Sequence, residues 1–322
     1  MTHYCTYFDG NYLTRGLTLY HSMLEHCQPF QLHVLCMDDE AYNYFAAAAL
    51  PQIQPIRLVD FEAGDEQLAV AKGNRSLIEY YFTCTPSLPL YVMRQEPTIA
   101  TIVYIDADFF FFHKPDAIEE ALANHPLFAV EHRFPPELQH HAEYGRFNVG
   151  ILGFRNDAVG RACLERWREQ CLEWCYDRLE GDRFGDQKYL DEWPARYPTM
   201  KILYHPGVNL APWNLTRHKI EWNGNALLAD GRPVICFHFH GLKEVNRFVY
   251  ITGLNEYRVR LTPAIRKGIF QPYLKVFRRL SRHLRSSNIG IRSLANRKIT
   301  VRHLIRERGF VVALGRFLVS GG

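Results

Sequence analysis

Short apolar runs alternate with longer amphipathic stretches along the chain. HYCTYF (residues 3–8), FQLHVLCM (30–37) and IRLVDF (56–61) predict strands. Between the first two, residues 12–26 repeat Leu17, Tyr20, Met23 and Leu24 at helical spacing; after the second, an Asp38-Asp39 start signal opens an alanine-rich helix ending near Leu50. The order β-α-β-α-β is the pattern of a nucleotide-binding half-sheet in an α/β fold. No G-x-G-x-x-G follows the first strand, so the dinucleotide fingerprint is absent.

Residues 75–93 are apolar on several faces and carry Pro86 and Pro89, predicting a helix, a break at Thr85-Pro86 and a second helical piece. TIVYI (101–105) is continuous and β-branched, as in a strand buried on both faces of a mostly parallel sheet. It ends in Asp106-Ala107-Asp108. Residues two apart in an extended chain share a side, so both carboxylates leave the strand end together. Open α/β sheets bind ligands there. Two acids beside a dry core are unfavourable unless a cation sits between them, and a divalent metal carrying a diphosphate fits. An isolated Asp-x-Asp reads instead as one turn cap and one solvated acid; the strand-end context favours the metal.

Farther on, a short helix opens at Pro115-Asp116, and a strand spans 126–132. A turn-rich loop over 135–146 follows, and His132, His140 and His141 read as solvated residues around it. FNVGILGF (147–154) is a strand whose Gly150 and Gly153 mark a bulge or the close approach of another backbone or ligand. Residues 156–178 predict a core helix, 181–193 a loop entering a helix, 200–205 a strand, 206–209 a turn and 233–243 the last strand of the body.

Charge changes this picture at one end only. From Asn255 onward there are 16 Lys and Arg against two acids, Glu256 and Glu307, whereas the rest carries 22 basic and 32 acidic residues. LKVFRRLSRHL puts Leu274, Phe277, Leu280 and Leu284 on one helical face and Lys275, Arg278, Arg279, Arg282 and Arg285 around the other. Such a helix can lie on an anionic membrane surface or dock on the body with a solvated basic face; membrane contact is favoured over nucleic acid. HLIRERGFVVALGRFL continues the helical theme less regularly. The expected organisation is a catalytic body over 1–253 and a basic amphipathic helical segment over 254–322. Eight scattered cysteines, several inside apolar runs, read as buried free thiols, and Cys171 and Cys175 as packing residues. No run of 18 apolar residues is present, so a cytoplasmic protein, peripheral on the inner membrane face, is expected.

Three signals stand together: YIDAD at a strand end, FNVGILGF with GDQ downstream, and HFHGLK after a final strand. With them the chain resembles nucleotide-sugar glycosyltransferases of the GT-A fold, a mostly parallel mixed sheet flanked by helices. It is most similar to family 8, which includes bacterial lipopolysaccharide galactosyltransferases and glycogenin. The resemblance covers residues 1–243. It implies that Asp106 and Asp108 hold Mn²⁺ (or Mg²⁺) on the donor diphosphate, with Ala107 lining the donor site. It implies His238 as third metal ligand, with His240, two residues on, as its competitor. Gly241 and Lys243 match the phosphate-contacting end of the motif, although the spacing here is G-x-K rather than G-x-x-K and the following Pro-Trp is missing.

Asn148, Asp186 and Gln187 match residues around the donor sugar and anomeric carbon. Asp186 alternatively caps a helix starting at Gln187. Phe8, Asp9, Tyr12 and Arg15 stand where such enzymes hold uracil and ribose, and Arg75 where it reaches the diphosphate. The implied function is retaining transfer of a hexose from a UDP-sugar to a cell-envelope glycan or glycolipid acceptor, as in lipopolysaccharide biosynthesis. A non-catalytic or hydrolytic nucleotide-sugar-binding protein is the alternative. An Asp-based phosphatase expects Thr or Val two places after the second acid, where Phe110 stands, and a nucleotidyltransferase expects a glycine- and arginine-rich loop after the first strand.

Overall fold

The computed structural model describes residues 1–286 and the strands at 310–314 and 317–320. β1 (Thr2–Phe8), α1 (Leu13–His26), β2 (Phe30–Cys36), α2 (Asp39–Ala48) and β3 (Ile53–Arg57) alternate as predicted, with β1–β2 and β2–β3 parallel. Asp38 starts α2 by accepting a hydrogen bond from Ala41 N at 2.9 Å. The third strand lies earlier than IRLVDF: Leu58–Glu62 is a short helix, α3. In a strand Val59 and Phe61 would share a face, but Val59 is exposed and Phe61 buried.

α4 (Glu66–Asn74) leads to α5 (Leu77–Gln95), which a Ser76–Glu79 capping box opens. The expected break at Thr85-Pro86 does not occur; α5 runs through both prolines. Each interior proline costs about 3 kcal/mol. Cys84, Leu88, Val92 and Met93 are buried on this helix. At roughly 1.5–3 kcal/mol per large side chain, that burial offsets the penalty.

β4 (Thr101–Ile105), β5 (Phe109–Phe111), α6 (Asp116–Asn124), β6 (Leu127–Glu131), β7 (Phe147–Arg155), α7 (Ala158–Glu173), α8 (Trp193–Arg196) and β8 (Lys201–Ile202) follow, and all of these strands but β5 complete the central sheet. Its strand order is β3-β2-β1-β4-β7-β6-β8, with β7 antiparallel to β4 and β6. Side chains alternate as a doubly covered sheet requires. Val103 and Ile105 enter the core shared with α1 and α6, and Ile102 and Tyr104 the core shared with α5 and α7. All eight cysteines are buried and free. The predicted helix over 156–178 ends at Glu173, and the strand over 200–205 is confined to β8.

β9 (Ile220–Trp222), β10 (Leu227–Ala229) and β11 (Arg232–Pro233) form a small antiparallel sheet. β12 (Cys236–His238) pairs with β5, so the expected final strand is broken into separate pieces. β13 (Lys243–Asn246), β14 (Val249–Ile251), α9 (Pro263–Ile265) and α10 (Gln271–Ser286) follow. Of the expected helical continuation, residues 303–309 lie outside the described residues, and the described part is strand instead: β15 (Phe310–Leu314) pairs antiparallel with β14, and β16 (Phe317–Ser320) with β15. An open edge at β14 provides backbone partners that local helical periodicity does not reveal.

The apolar face of α10 is covered by protein. Leu274, Phe277, Leu280 and Leu284 are all buried, the last two in the core shared with Leu17 and Tyr20 of α1. Lys275, Arg279, Arg282 and Arg285 point outward, and Arg285 pairs with Glu244 at 2.8 Å. Leu284→Ala is therefore expected to lower unfolding free energy by about 2–5 kcal/mol in denaturant titration, as for a fully buried leucine. A helix holding that face for lipid would lose less than about 1 kcal/mol. Among the described residues no helix is long and apolar enough to cross a membrane.

Candidate active site

At the carboxyl ends of β1 and β4 and the amino end of the antiparallel β7 a cavity of about 950 Å³ opens. Asp106 and Asp108 lie on its floor with Ala107, just beyond β4. β12 brings His238 opposite Phe109, the residue after Asp108. His238 Nε2 is 3.1 Å from Asp108 Oδ1 and 3.6 Å from Asp106 Oδ2. One donor atom from each residue lies within 4.8 Å of the others. The ring stacks on Phe109 at 4.4 Å and rests on Gly150, where a Cβ would come within 2.9 Å of both its Cε1 and its Nδ1. The glycine predicted to mark a close approach thus makes room for the imidazole.

Burial pushes the Asp106 carboxyl up, reinforced by Asp108, against the pull of His238 and a 2.7 Å hydrogen bond from Tyr104 OH. Burial also acts on Asp108, but His238, His240 and Arg15 outweigh it and hold its pKa at about 2. Burial lowers His238, yet the two acids raise it overall. The imidazolium supplies the positive charge that two converging carboxylates need. Two oxygen donors and one imidazole nitrogen, converging from one side, fit a divalent cation that would take over that charge, and the imidazole suits Mn²⁺ better than Mg²⁺. The cluster would hold the ion, and the ion would supply Lewis-acid neutralisation of phosphate oxygens.

Asn148 is oriented by a buried network. Its Oδ1 accepts from Gly150 N and Asn209 Nδ2, each at 3.2 Å. His132, held neutral by burial at a pKa of about 3, places Nδ1 3.3 Å from the Arg146 carbonyl. A carbonyl only accepts, so Nδ1 carries the proton and Nε2 accepts from Asn148 Nδ2 at 3.3 Å. Arg133 donates to the carbonyls of His205, Val208 and Asn209 and fixes the turn bearing Asn209. His132, expected in solvent, is a buried member of this network, because β6 ends one residue before it and Phe134 and Trp213 enclose its ring.

Asp186 enters the cavity from the loop after α7, its backbone oxygen accepting from Trp167 Nε1 at 2.8 Å. It caps no helix, since the 3₁₀ turn Lys188–Glu192 has Gln187 at its N-cap position and no side-chain cap. Burial, with repulsion from Asp106, raises the Asp186 carboxyl to about 7 against a hydrogen bond with Thr85. Gln187 also lines the cavity and donates to the Tyr144 carbonyl at 3.0 Å.

The chain is 31% identical over 254 residues to the uncharacterized protein YfnF of Bacillus subtilis (strain 168), across 76% of this chain and 82% of YfnF. It belongs to the YfnF family. The family likeness extends to uncharacterized YfnD of the same bacterium, 29% identical over 280 residues, across 84% of this chain and 87% of YfnD. No family model matches the sequence. Among solved structures, galactosyltransferase LgtC in complex with donor and acceptor sugar analogs superposes with a TM-score of 0.54 at 16% identity, covering 88% of this chain and 99% of that one. The glycosyltransferase GlyE of Streptococcus pneumoniae TIGR4 gives 0.51 at 14% identity, covering 91% and 65%. These likenesses establish the architecture: the YfnF-family chain has a GT-A glycosyltransferase fold.

Not every expected site residue of this YfnF-family chain reaches the cavity. Phe8, Asp9 and Tyr12 line one end, with Tyr81 OH 3.5 Å from Asp9. Arg15 is buried behind them, stacked on Tyr12 and donating to the Leu242 carbonyl at 2.8 Å, so it ties α1 to the HFHGLK loop. Arg75 lies outside the lining, bonded to Tyr176 OH at 2.7 Å and the Leu172 carbonyl at 3.1 Å. His240 lines the cavity but stands outside the three-donor cluster; burial and His238 lower its pKa to about 4. Gly241 turns with φ +76° against Gly253, and Lys243 is exposed at the start of β13.

Sequence reasoning missed Tyr104, Asn209 and Trp213. Tyr104 shares a strand face with Asp106 and was available from the two-residue period. The other two arrive from a distant loop that no local pattern marks.

Proposed function

We propose that this chain is a metal-dependent glycosyltransferase that moves a hexose from a UDP-sugar to a cell-envelope glycan or glycolipid acceptor, with retention of configuration. The observation that carries the reading is the Asp106–Asp108–His238 cluster on the floor of the strand-end cavity. These three would hold Mn²⁺ against the diphosphate. Phe8, Asp9 and Tyr12 would receive the nucleoside. Asn148 presents an amide whose orientation its buried partners determine, a preorganised contact for a sugar hydroxyl. Asp186, buried beside Asp106, would supply negative charge near an oxocarbenium-like centre once ionised, above about pH 7 in the metal-free chain, and Gln187, held by Tyr144, completes that wall.

Phe134, His141, Tyr144, Phe184, Trp213 and Tyr257 line the cavity as well, and their rings suit the C–H face of an acceptor sugar. The outward basic side chains of α10 support electrostatic contact with an anionic membrane, which would bring a lipid-borne acceptor near.

A donor screen tests the reading: release of nucleoside diphosphate from a panel of nucleotide-sugars, with Mn²⁺ and with chelator. Metal-dependent hydrolysis of a UDP-hexose is expected. Binding without turnover under any acceptor would favour the non-catalytic alternative, and no binding of any nucleotide-sugar would remove both.

A further inference from the structure

We propose that His3, His33 and Glu96 form a second divalent-metal site, of the type that takes Zn²⁺, at the far end of the central sheet from the candidate active site. The proposal is independent of the glycosyltransferase reading. β1 and β2 pair with His3 opposite Gln31 and Cys5 opposite His33, which makes the two histidines diagonal neighbours on one sheet face. That face is covered by α5, and Cys5, Leu35 and Met37 on it are core residues. Two imidazoles therefore stand where the alternation calls for apolar side chains. Glu96 joins them from the carboxyl end of α5.

His3 Nδ1 and His33 Nε2 are 3.1 Å apart. Zinc takes imidazole nitrogen and carboxylate oxygen at about 2.0–2.2 Å in a tetrahedron, which sets neighbouring ligand atoms roughly 3.3–3.5 Å apart. The imidazole pair already stands near that separation. One donor atom from each of the three residues lies within 4.8 Å of the others; Glu96 Oε1 stands 3.8 Å from His33 Nδ1, and its side chain is 44% exposed, so a rotamer change can bring it to the nitrogen that faces His3. His33 is 2% exposed, which makes it the fixed member of the set.

Two imidazoles and one carboxylate select a borderline transition metal over Mg²⁺ or Ca²⁺, and water would take the fourth position. The three ligands come from three elements. A bound ion would tie the start of β1 and the middle of β2 to the end of α5. Six residues at 3.3 Å each put His3 about 20 Å along β1 from Asp9, so the ion would brace the sheet rather than meet the donor. The competing arrangement is a neutral His–His hydrogen bond with Glu96 as a loose neighbour.

Co²⁺ titration of the full chain, followed by visible absorption and calorimetry, separates the two. The Asp106→Asn/Asp108→Asn variant is the background, since it removes the first acid pair. One equivalent of Co²⁺ with a tetrahedral absorption band, displaced by Zn²⁺, is expected there. His3→Gln and Glu96→Gln, added singly, should each weaken that binding at least about 10-fold. Each should also lower the rise in Tm that Zn²⁺ produces. Failure of the background variant to take up Co²⁺, or uptake that either substitution leaves unaltered, overturns the site.

Discussion

Asp108→Asn is expected to lower the proposed nucleotide-sugar turnover by on the order of 10²–10³-fold or more and to leave the chain folded. The reasoning is electrostatic. Asp108 is the carboxylate that is ionised across the working pH range, held at a pKa of about 2, and it stands 3.1 Å from His238. Asparagine has the same shape but no charge. It leaves Asp106, whose carboxyl burial pushes up, as the sole carboxylate beside an imidazole, too little charge for the proposed grip on a divalent cation and a diphosphate together. The fold has little reason to suffer, because the strands around the site are secured by their own ladders and by the cores on both faces. Release of UDP under saturating Mn²⁺ and the far-ultraviolet spectrum, measured on the same preparation, read the two halves separately. Turnover within a few-fold of the parent would show that this acid does not hold the metal.

Asp186→Asn gives the second large effect, and its sign is opposite for stability. Burial raises the Asp186 carboxyl from 3.8 to about 7, so the folded chain keeps a proton that the unfolded chain releases above pH 4. Between those values the native state binds more protons than the unfolded one, and stability falls as pH rises, by about 1.4 kcal/mol per pH unit. Asparagine removes that loss. The stability advantage of the variant over the parent should therefore widen by roughly 2–3 kcal/mol between pH 5 and pH 7, then level off. For a chain of this size that is about 3–5 °C in Tm. Metal-free protein is the sample, so that no cation beside Asp106 shifts the carboxyl. Sugar transfer should fall in the same variant most above pH 7, where the parent carboxyl is ionised and asparagine removes the charge proposed to stand beside the anomeric carbon. A Tm difference that stays constant from pH 5 to pH 8, or narrows, would show that this carboxyl titrates normally.

How much of the site was legible in the sequence can be judged residue by residue. Asp106 and Asp108 were readable because a five-residue apolar strand ends in them and the two-residue period sends both side chains one way. Gly150 was readable because glycine inside a strand implies a close neighbour, although the neighbour, His238, could only be matched by resemblance. Arg15 and Arg75 show the limit. Both are arginines near the right elements, but a guanidinium reaches several partners: here Arg15 takes the Leu242 carbonyl, and Arg75 takes Tyr176 OH and the Leu172 carbonyl near the end of α7. His132 fails for a related reason: a turn-rich stretch looks solvated until a tryptophan 81 residues later closes over the ring.

Hydrophobic periodicity was enough for the alternating strands and helices of the first half, the doubly buried β4, and the apolar and basic faces of α10. These depend on nearest neighbours along the chain, where geometry repeats with a known period. What covers each face was left open. The apolar side of α10 suits a bilayer or a protein core equally well, and only its packing on α1 selects the core. The continuity of α5 through Pro86 and Pro89, the meeting of His238 with the two acids, and the orientation of the Asn148 amide were likewise decided in three dimensions. In each case the deciding energy comes from burial and hydrogen bonding between segments far apart in the chain, which no local window contains.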